Sequence, residues 1–111
     1  MIDDAELLDR FVRLEDQDAF ADLVRRHIDV VFSAAIRQTG GDSCLAQEIT
    51  QDVFTDLAMK ARDLMRKVRA GLPLVGWLHT STRFAASRHR RSELRRQARE
   101  TQAYEIGRAH V

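Results

Sequence analysis

Apolar residues along this chain recur at steps of three and four, and no window alternates polar with apolar long enough for a strand. A first, acidic helix is expected from about Asp4 to Leu14. A second begins near Asp16 and carries Phe20, Leu23, Val24, His27, Val31 and Ala34 on one side, the spacing of an amphipathic helix. Gly40-Gly41 ends it. Asp42 or Ser43 then caps a third helix, whose core stripe is Ile49, Val53, Leu57, Ala61 and Leu64. The basic residues 65–73 read as a loop. A fourth helix starts at Leu74 or Val75, one or two residues after Pro73, and runs to about Arg99. The fold class is all-α: a compact bundle of about four helices, the last one long and basic. Residues 1–100 form the domain and residues 101–111 a disordered tail.

Charge divides this pattern in two. Residues 1–58 carry 13 acidic and 5 basic side chains, a net of −8, whereas residues 59–111 carry 4 acidic and 13 basic, a net of +9. The formal net of +1 conceals the split. Asymmetry of this size points to a polyanion as the partner of the basic half.

On the third helix Glu48, Gln51, Asp52, Thr55 and Asp56 recur at helical spacing and share one face beside the core stripe. One reading is a solvated face. The other is a docking surface for a basic helix of a partner, where complementary potentials steer the encounter and set the register. Paired carboxylates on an exposed helix lack the desolvated cleft that would separate their pKa values into acid and base, so catalysis there is not expected.

The fourth helix is a cationic blade. From His79 to Arg99 there are seven arginines, one glutamate and no lysine. Arg88, Arg91, Arg95 and Arg99 are spaced by 3, 4 and 4 and fall on one stripe, flanked by Arg83, Arg90 and Arg96. Arginine favours bidentate phosphate contacts, stacking on bases and forked recognition of base edges. A solvated helix end helped by C-terminal cations needs only two or three of them, so nucleic acid is the expected partner. Trp77 and Phe84 lie seven apart on one side of the same helix. Both read as core, with the alternative that one is partly exposed and stacks on an unpaired base. His79, Thr80, Ser81, Thr82 and Arg83 offer hydrogen-bonding groups near the helix start.

Several function classes drop out. The single cysteine, Cys44, allows no internal disulfide and suits a reducing cytoplasm. No apolar run approaches the length of a membrane span, and the acidic N-terminus lacks the pattern of a secretory signal. There is no Gly-rich phosphate loop, no paired CxxC and no HExxH. The histidines His27, His79, His89 and His110 lack metal-ligand spacing, and His27 reads as a core-edge residue. No cofactor, no metal and no enzymatic activity are expected.

Taken in order, the acidic stripe, the Gly76-Trp77-Leu78 start and the arginine helix resemble the second conserved region of bacterial RNA polymerase sigma factors, most nearly the extracytoplasmic-function (ECF) type of the sigma-70 family. The resemblance covers roughly residues 16–99. Asp18-Ala19-Phe20 with Leu23 and Arg25-Arg26 looks like the family's opening helix. Ala46-Gln47-Glu48-Ile49-Thr50-Gln51-Asp52-Val53-Phe54 is similar to the pattern that docks on the clamp helices of core RNA polymerase. The resemblance implies polymerase contacts from Glu48, Gln51, Asp52, Thr55 and Asp56. It implies contacts with the non-template strand of the promoter minus-ten element from Trp77, His79, Thr80, Arg83, Phe84, Arg88, Arg91 and Arg95. It implies a cytoplasmic protein and an anti-sigma factor as a further partner, and the loop before the helix would help to capture flipped bases.

The chain departs from the family at Phe84, where asparagine is frequent, and at Arg88, where aspartate is common. The family's second DNA-binding domain, a helix-turn-helix, would follow a linker beginning near Arg99. Residues 106–111, Ile-Gly-Arg-Ala-His-Val, read like a translated sequencing adapter, so the native C-terminus is expected to lie elsewhere. Two rival functions remain open: a regulator that binds duplex DNA without polymerase, and a helical interaction module whose basic tail pairs with its own acidic helix or a partner's.

Overall fold

Three aspartates start three of the four helices in the computed structural model, which describes residues 2–109. Asp3 accepts from the Glu6 backbone N–H at 2.9 Å and opens α1, Asp4–Leu14. Asp16 accepts from Ala19 at 3.1 Å and opens α2, Gln17–Gln38. Asp42 accepts from Leu45 at 3.1 Å and opens α3, Ser43–Arg69. Each such cap satisfies an N–H that the helix itself leaves unpaired and contributes about 1 kcal/mol. The fourth helix, α4, spans Leu74–Ala109 and begins directly after Pro73.

Glycine ends α2 and α3 in the same way. Gly40 and Gly71 take φ of 65° and 105°, the left-handed region that L side chains avoid. The next residue then reaches back: the Gly41 N–H donates to the Ile36 carbonyl at 3.0 Å, and the Leu72 N–H to the Lys67 carbonyl at 2.9 Å.

The molecule is an all-α bundle, and no strand occurs among the described residues. α3 lies at its centre and packs against each of the other three helices. Its expected stripe of Ile49, Val53, Leu57, Ala61 and Leu64 is buried throughout, meeting Leu7 and Leu8 of α1, Leu23, Val31 and Ala35 of α2, and Leu74, Leu78, Ala85 and Ala86 of α4. At the edge of this core His27 holds the Asp4 carboxylate through Nε2 at 2.9 Å, tying α2 to α1 as a core-edge residue should.

Two boundaries differ from the sequence expectation. Residues 65–69 are not loop but the last turns of α3. Met65 and Val68 pack on the core, and Arg69 Nη2 stands 3.1 Å from Asp9 Oδ1 on α1. The basic residues of this turn also complement the helix C-terminus. The loop is thus only residues 70–73.

The other difference is at the far end. α4 passes the Arg99 boundary and continues to Ala109, so residues 101–109 are helix rather than a disordered tail. No proline interrupts them, and Arg96 joins Glu93 and Glu100, one turn away on either side. The last fully buried residue of α4 is Ala86, and residues 90–107 are all exposed. The bundle therefore ends near residue 90, and the rest of α4 projects from it, giving a body of 67 × 25 × 23 Å. His110 and Val111, the end of the adapter-like segment, lie outside the described residues.

Candidate nucleic-acid interface and docking face

An α-helix turns about 100° per residue, and this sorts the α4 side chains. Leu74, Leu78, Thr82, Ala85 and Ala86 face the core. Trp77, Thr80, Phe84, Arg88, Arg91 and Arg95 follow one another at steps of three or four and form one continuous stripe, which starts beside the core at Trp77 and is exposed from Phe84 onwards. Two aromatics therefore run directly into three arginines. Arg83 sits about 100° round the helix from Phe84, and His79 lies further still. Six of the eight residues assigned to nucleic acid share this stripe; His79 and Arg83 do not.

The aromatics differ in exposure. Trp77 is half-buried and packs against the core, whereas Phe84 is 63% exposed. Phe84, taken as core in one sequence reading, is the ring available for stacking. The polar group at the helix start is smaller than it looked. Thr82 is fully buried, and its hydroxyl donates to the Leu78 carbonyl at 2.7 Å. That bond satisfies a polar atom inside the core and leaves nothing for a base edge.

The seven arginines also divide. Arg90 donates through Nη1 to the Gln38 carbonyl at the end of α2, at 3.1 Å, and through Nη2 to Ser87 at 3.2 Å. It secures α4 to the exposed carbonyl end of α2, a structural task that spacing could not disclose. Arg96 pairs with Glu93 and Glu100. Arg88 Nη2 lies 3.8 Å from Asp56 Oδ2. Arg83, Arg91, Arg95 and Arg99 make no ion pair or hydrogen bond among the described residues, so their charges face solvent.

The hydrogen bond from Arg96 holds the Glu93 carboxyl below the ordinary carboxylate range. The sign follows from that lowering: the pair supports the projecting helix above the ordinary carboxylate value and loses its effect as pH falls through the lowered one. Helicity followed by circular dichroism should therefore be higher in the wild type than in Glu93→Gln near neutrality, with the gap closing in acid. A gap that stays constant across the acid range would contradict this.

The acidic stripe of α3 proves not to be one surface. Gln51 and Thr55 turn towards α2. Asp52 and Asp56 turn towards α4, where His89 Nε2 is 2.8 Å from Asp52 Oδ2. Glu48 is exposed and borders a shallow depression with His89, Ser92 and Arg96. Of the residues expected to form a docking face, Gln51 and Thr55 border α2, whereas Asp52 and Asp56 pair with α4.

Gln51 and Thr55 instead form the polar rim of an apolar groove between α2 and α3. Phe20, Val24, Ile28 and Phe32 of α2 and Phe54 of α3 line it, and its volume is about 690 Å³. The signal for it was present in the sequence. Phe20, Val24, Ile28 and Phe32 step by four, alongside the buried Leu23 and Val31, which makes the apolar face of α2 wider than one core contact requires. Read as core, Phe20 and Val24 are half-buried, and Ile28 is exposed.

Cys44 is free and exposed. No cluster of three or more metal-ligating side chains occurs among the described residues. Among the described residues no helix is long and apolar enough to cross a membrane. Compared with family models, with curated proteins and with solved structures, the chain matches none of them.

Proposed function

We propose that this chain is a sigma-factor domain of the region 2 type, which binds core RNA polymerase and holds the melted minus-ten element of a promoter during initiation of transcription. The observation that carries the reading is the α4 stripe, in which an exposed Phe84 beside a half-buried Trp77 leads into Arg88, Arg91 and Arg95. An aromatic platform followed by a phosphate-binding row suits a single strand, because unpaired bases stack while the backbone runs along the cations. Phosphate contacts position the strand, and the first turns of α4 contact its bases.

The second supporting feature is the α2–α3 groove with Gln51 and Thr55 on its rim. An apolar trough between two helices accepts the apolar face of a third helix, here the polymerase clamp helices, or an anti-sigma factor competing for the same place. In this reading the chain works in the cytoplasm with the polymerase and catalyses nothing itself.

One observation favours the interaction-module alternative: the acidic and basic helices do touch, through Asp52 with His89 and Asp56 with Arg88. Self-pairing, however, leaves Arg83, Arg91, Arg95 and Arg99 without partners among the described residues.

The test has two arms. The chain should co-elute with bacterial core RNA polymerase, and the double variant Gln51→Arg/Thr55→Arg, which sets two charges on the groove rim, should weaken that association at least about tenfold. Phe84→Ala should weaken binding of a non-template promoter strand by about tenfold, the cost of one lost stacking contact. Failure to associate with polymerase, together with unchanged strand binding by Phe84→Ala, would sink the proposal.

A further inference from the structure

The apolar face of α2 carries more than its own bundle uses. Leu23 and Val31 are buried in the core, yet Phe20, Val24, Ile28 and Phe32 line the open groove, and Ile28 is 40% exposed. Among the described residues Asp29 is the one charged side chain on the groove wall. It is exposed and makes no ion pair or hydrogen bond among them. Arg25, one turn earlier, is also exposed and pairs with Asp22 at the surface.

The four apolar residues form a stripe that reads alike from either end: an aromatic ring, two β-branched chains, an aromatic ring. Its midpoint falls level with residue 26. Two copies of α2 laid antiparallel about a twofold axis at that level set Phe20 opposite Phe32 of the second copy, and Val24 opposite Ile28 of the second copy. Symmetry makes each contact twice, so a stripe of about 18 Å is matched along its whole length.

The charges select the same arrangement. Arg25 and Asp29 each follow a stripe residue by one position and therefore lie on the same edge of it. The axis that matches the stripe turns this edge towards the same edge of the second copy. Arg25 then stands about 3 Å along the helix direction from Asp29 of the second copy, within reach of its long side chain. A parallel pair would instead set Asp29 against Asp29 and Arg25 against Arg25. On the α3 side the rim is Gln47, Gln51 and Thr55, which carry no charge to oppose the approach.

We propose that the α2–α3 groove is the contact surface of a symmetric antiparallel dimer, in which α2 of a second copy covers the apolar stripe and Arg25 pairs with Asp29 across the twofold axis. The inference rests on the groove and not on the nucleic-acid reading of α4. A polymerase helix would use the same groove, so the two occupants exclude each other.

Sedimentation velocity of the whole chain tests the dimer. At micromolar concentrations the wild type should sediment with twice the mass of one chain. Ile28→Arg sets a charge in the middle of the stripe at an exposed position and should weaken pairing at least about thirtyfold. Asp29→Arg and Arg25→Asp, each alone, bring like charges together at both contacts and should weaken it about tenfold. Mixed in equal amounts, these two variants should recover the wild-type association, because each contact again joins opposite charges. A folding defect would give no such recovery. A single-chain mass for the wild type at every concentration would overturn the proposal, and so would a dimer indifferent to Ile28→Arg and to both charge reversals. Either result leaves untouched the strand binding that Phe84→Ala measures and the association with polymerase.

Discussion

Replacing Arg91, Arg95 and Arg99 together with alanine should weaken binding of single-stranded DNA about a hundredfold, at about 1 kcal/mol for each lost phosphate contact. These three arginines are chosen because none has a partner among the described residues and all are exposed, so the bundle loses nothing when they go. Alanine also keeps the helix intact, being its best former. The loss should have an ionic signature. Each phosphate contact on a single strand contributes about −0.7 to the slope of log affinity against log salt, so three should flatten it by about 2. Affinity measured by anisotropy over a range of salt concentrations gives both quantities. A triple variant with wild-type affinity and an unchanged slope would show that the projecting half of α4 does not follow a phosphate backbone.

The larger structural effect is expected at Leu57. This side chain is fully buried in the middle of α3, which packs against all three other helices. Leu57→Ala removes apolar contact on every side and leaves a cavity that long helices cannot easily collapse to fill. The cost should be about 3 kcal/mol, a large share of the total for a domain of this size. Such a loss lowers the midpoint of thermal unfolding by about 15 °C. Met59, two residues on and 78% exposed, is the matched comparison, and Met59→Ala should move the midpoint by no more than a degree or two. A Leu57→Ala melt within a few degrees of wild type would mean that α3 does not organise the core.

These two expectations differ in how far they could be seen in advance. The Leu57 stripe was readable because a buried helix face imposes a period of three and four on its apolar residues, whatever they pack against. The starts of α1 to α3 were readable for a related reason. Asp3, Asp16 and Asp42 act on N–H groups three residues away, and Gly40 and Gly71 act on the chain at their own φ. These causes are local, so they leave local marks. Residues 65–69 misled because their charges resemble those of a loop, while what holds them helical is Asp9, some sixty residues earlier in the chain.

Within the candidate site the division is the same. Helical geometry alone lines up Arg88, Arg91 and Arg95 behind Trp77 and Phe84. It does not say that Phe84 is exposed and Trp77 half-buried, since that depends on how closely α2 and α3 approach the first turns of α4. Nor does it reveal that Arg90 is bound to the end of α2, or that Thr82 turns inward to the Leu78 carbonyl. The groove between α2 and α3 left a trace, the run of four-residue steps from Phe20 to Phe32, but only two packed helices make it a groove.

By itself, then, the amino-acid order determined the all-α class, the helix starts, the buried stripe of α3 and the segregation of acid from base. All of these arise from interactions between residues close in sequence. Only the tertiary structure decided which charges are free. Asp52 and Asp56 share a helix with Gln51 and Thr55, yet they meet His89 and Arg88 across a seam, because α3 lies between two helices and shows a different flank to each. Whether a side chain is a site or a strut depends on its neighbours in space, and those are set by the packing of the bundle.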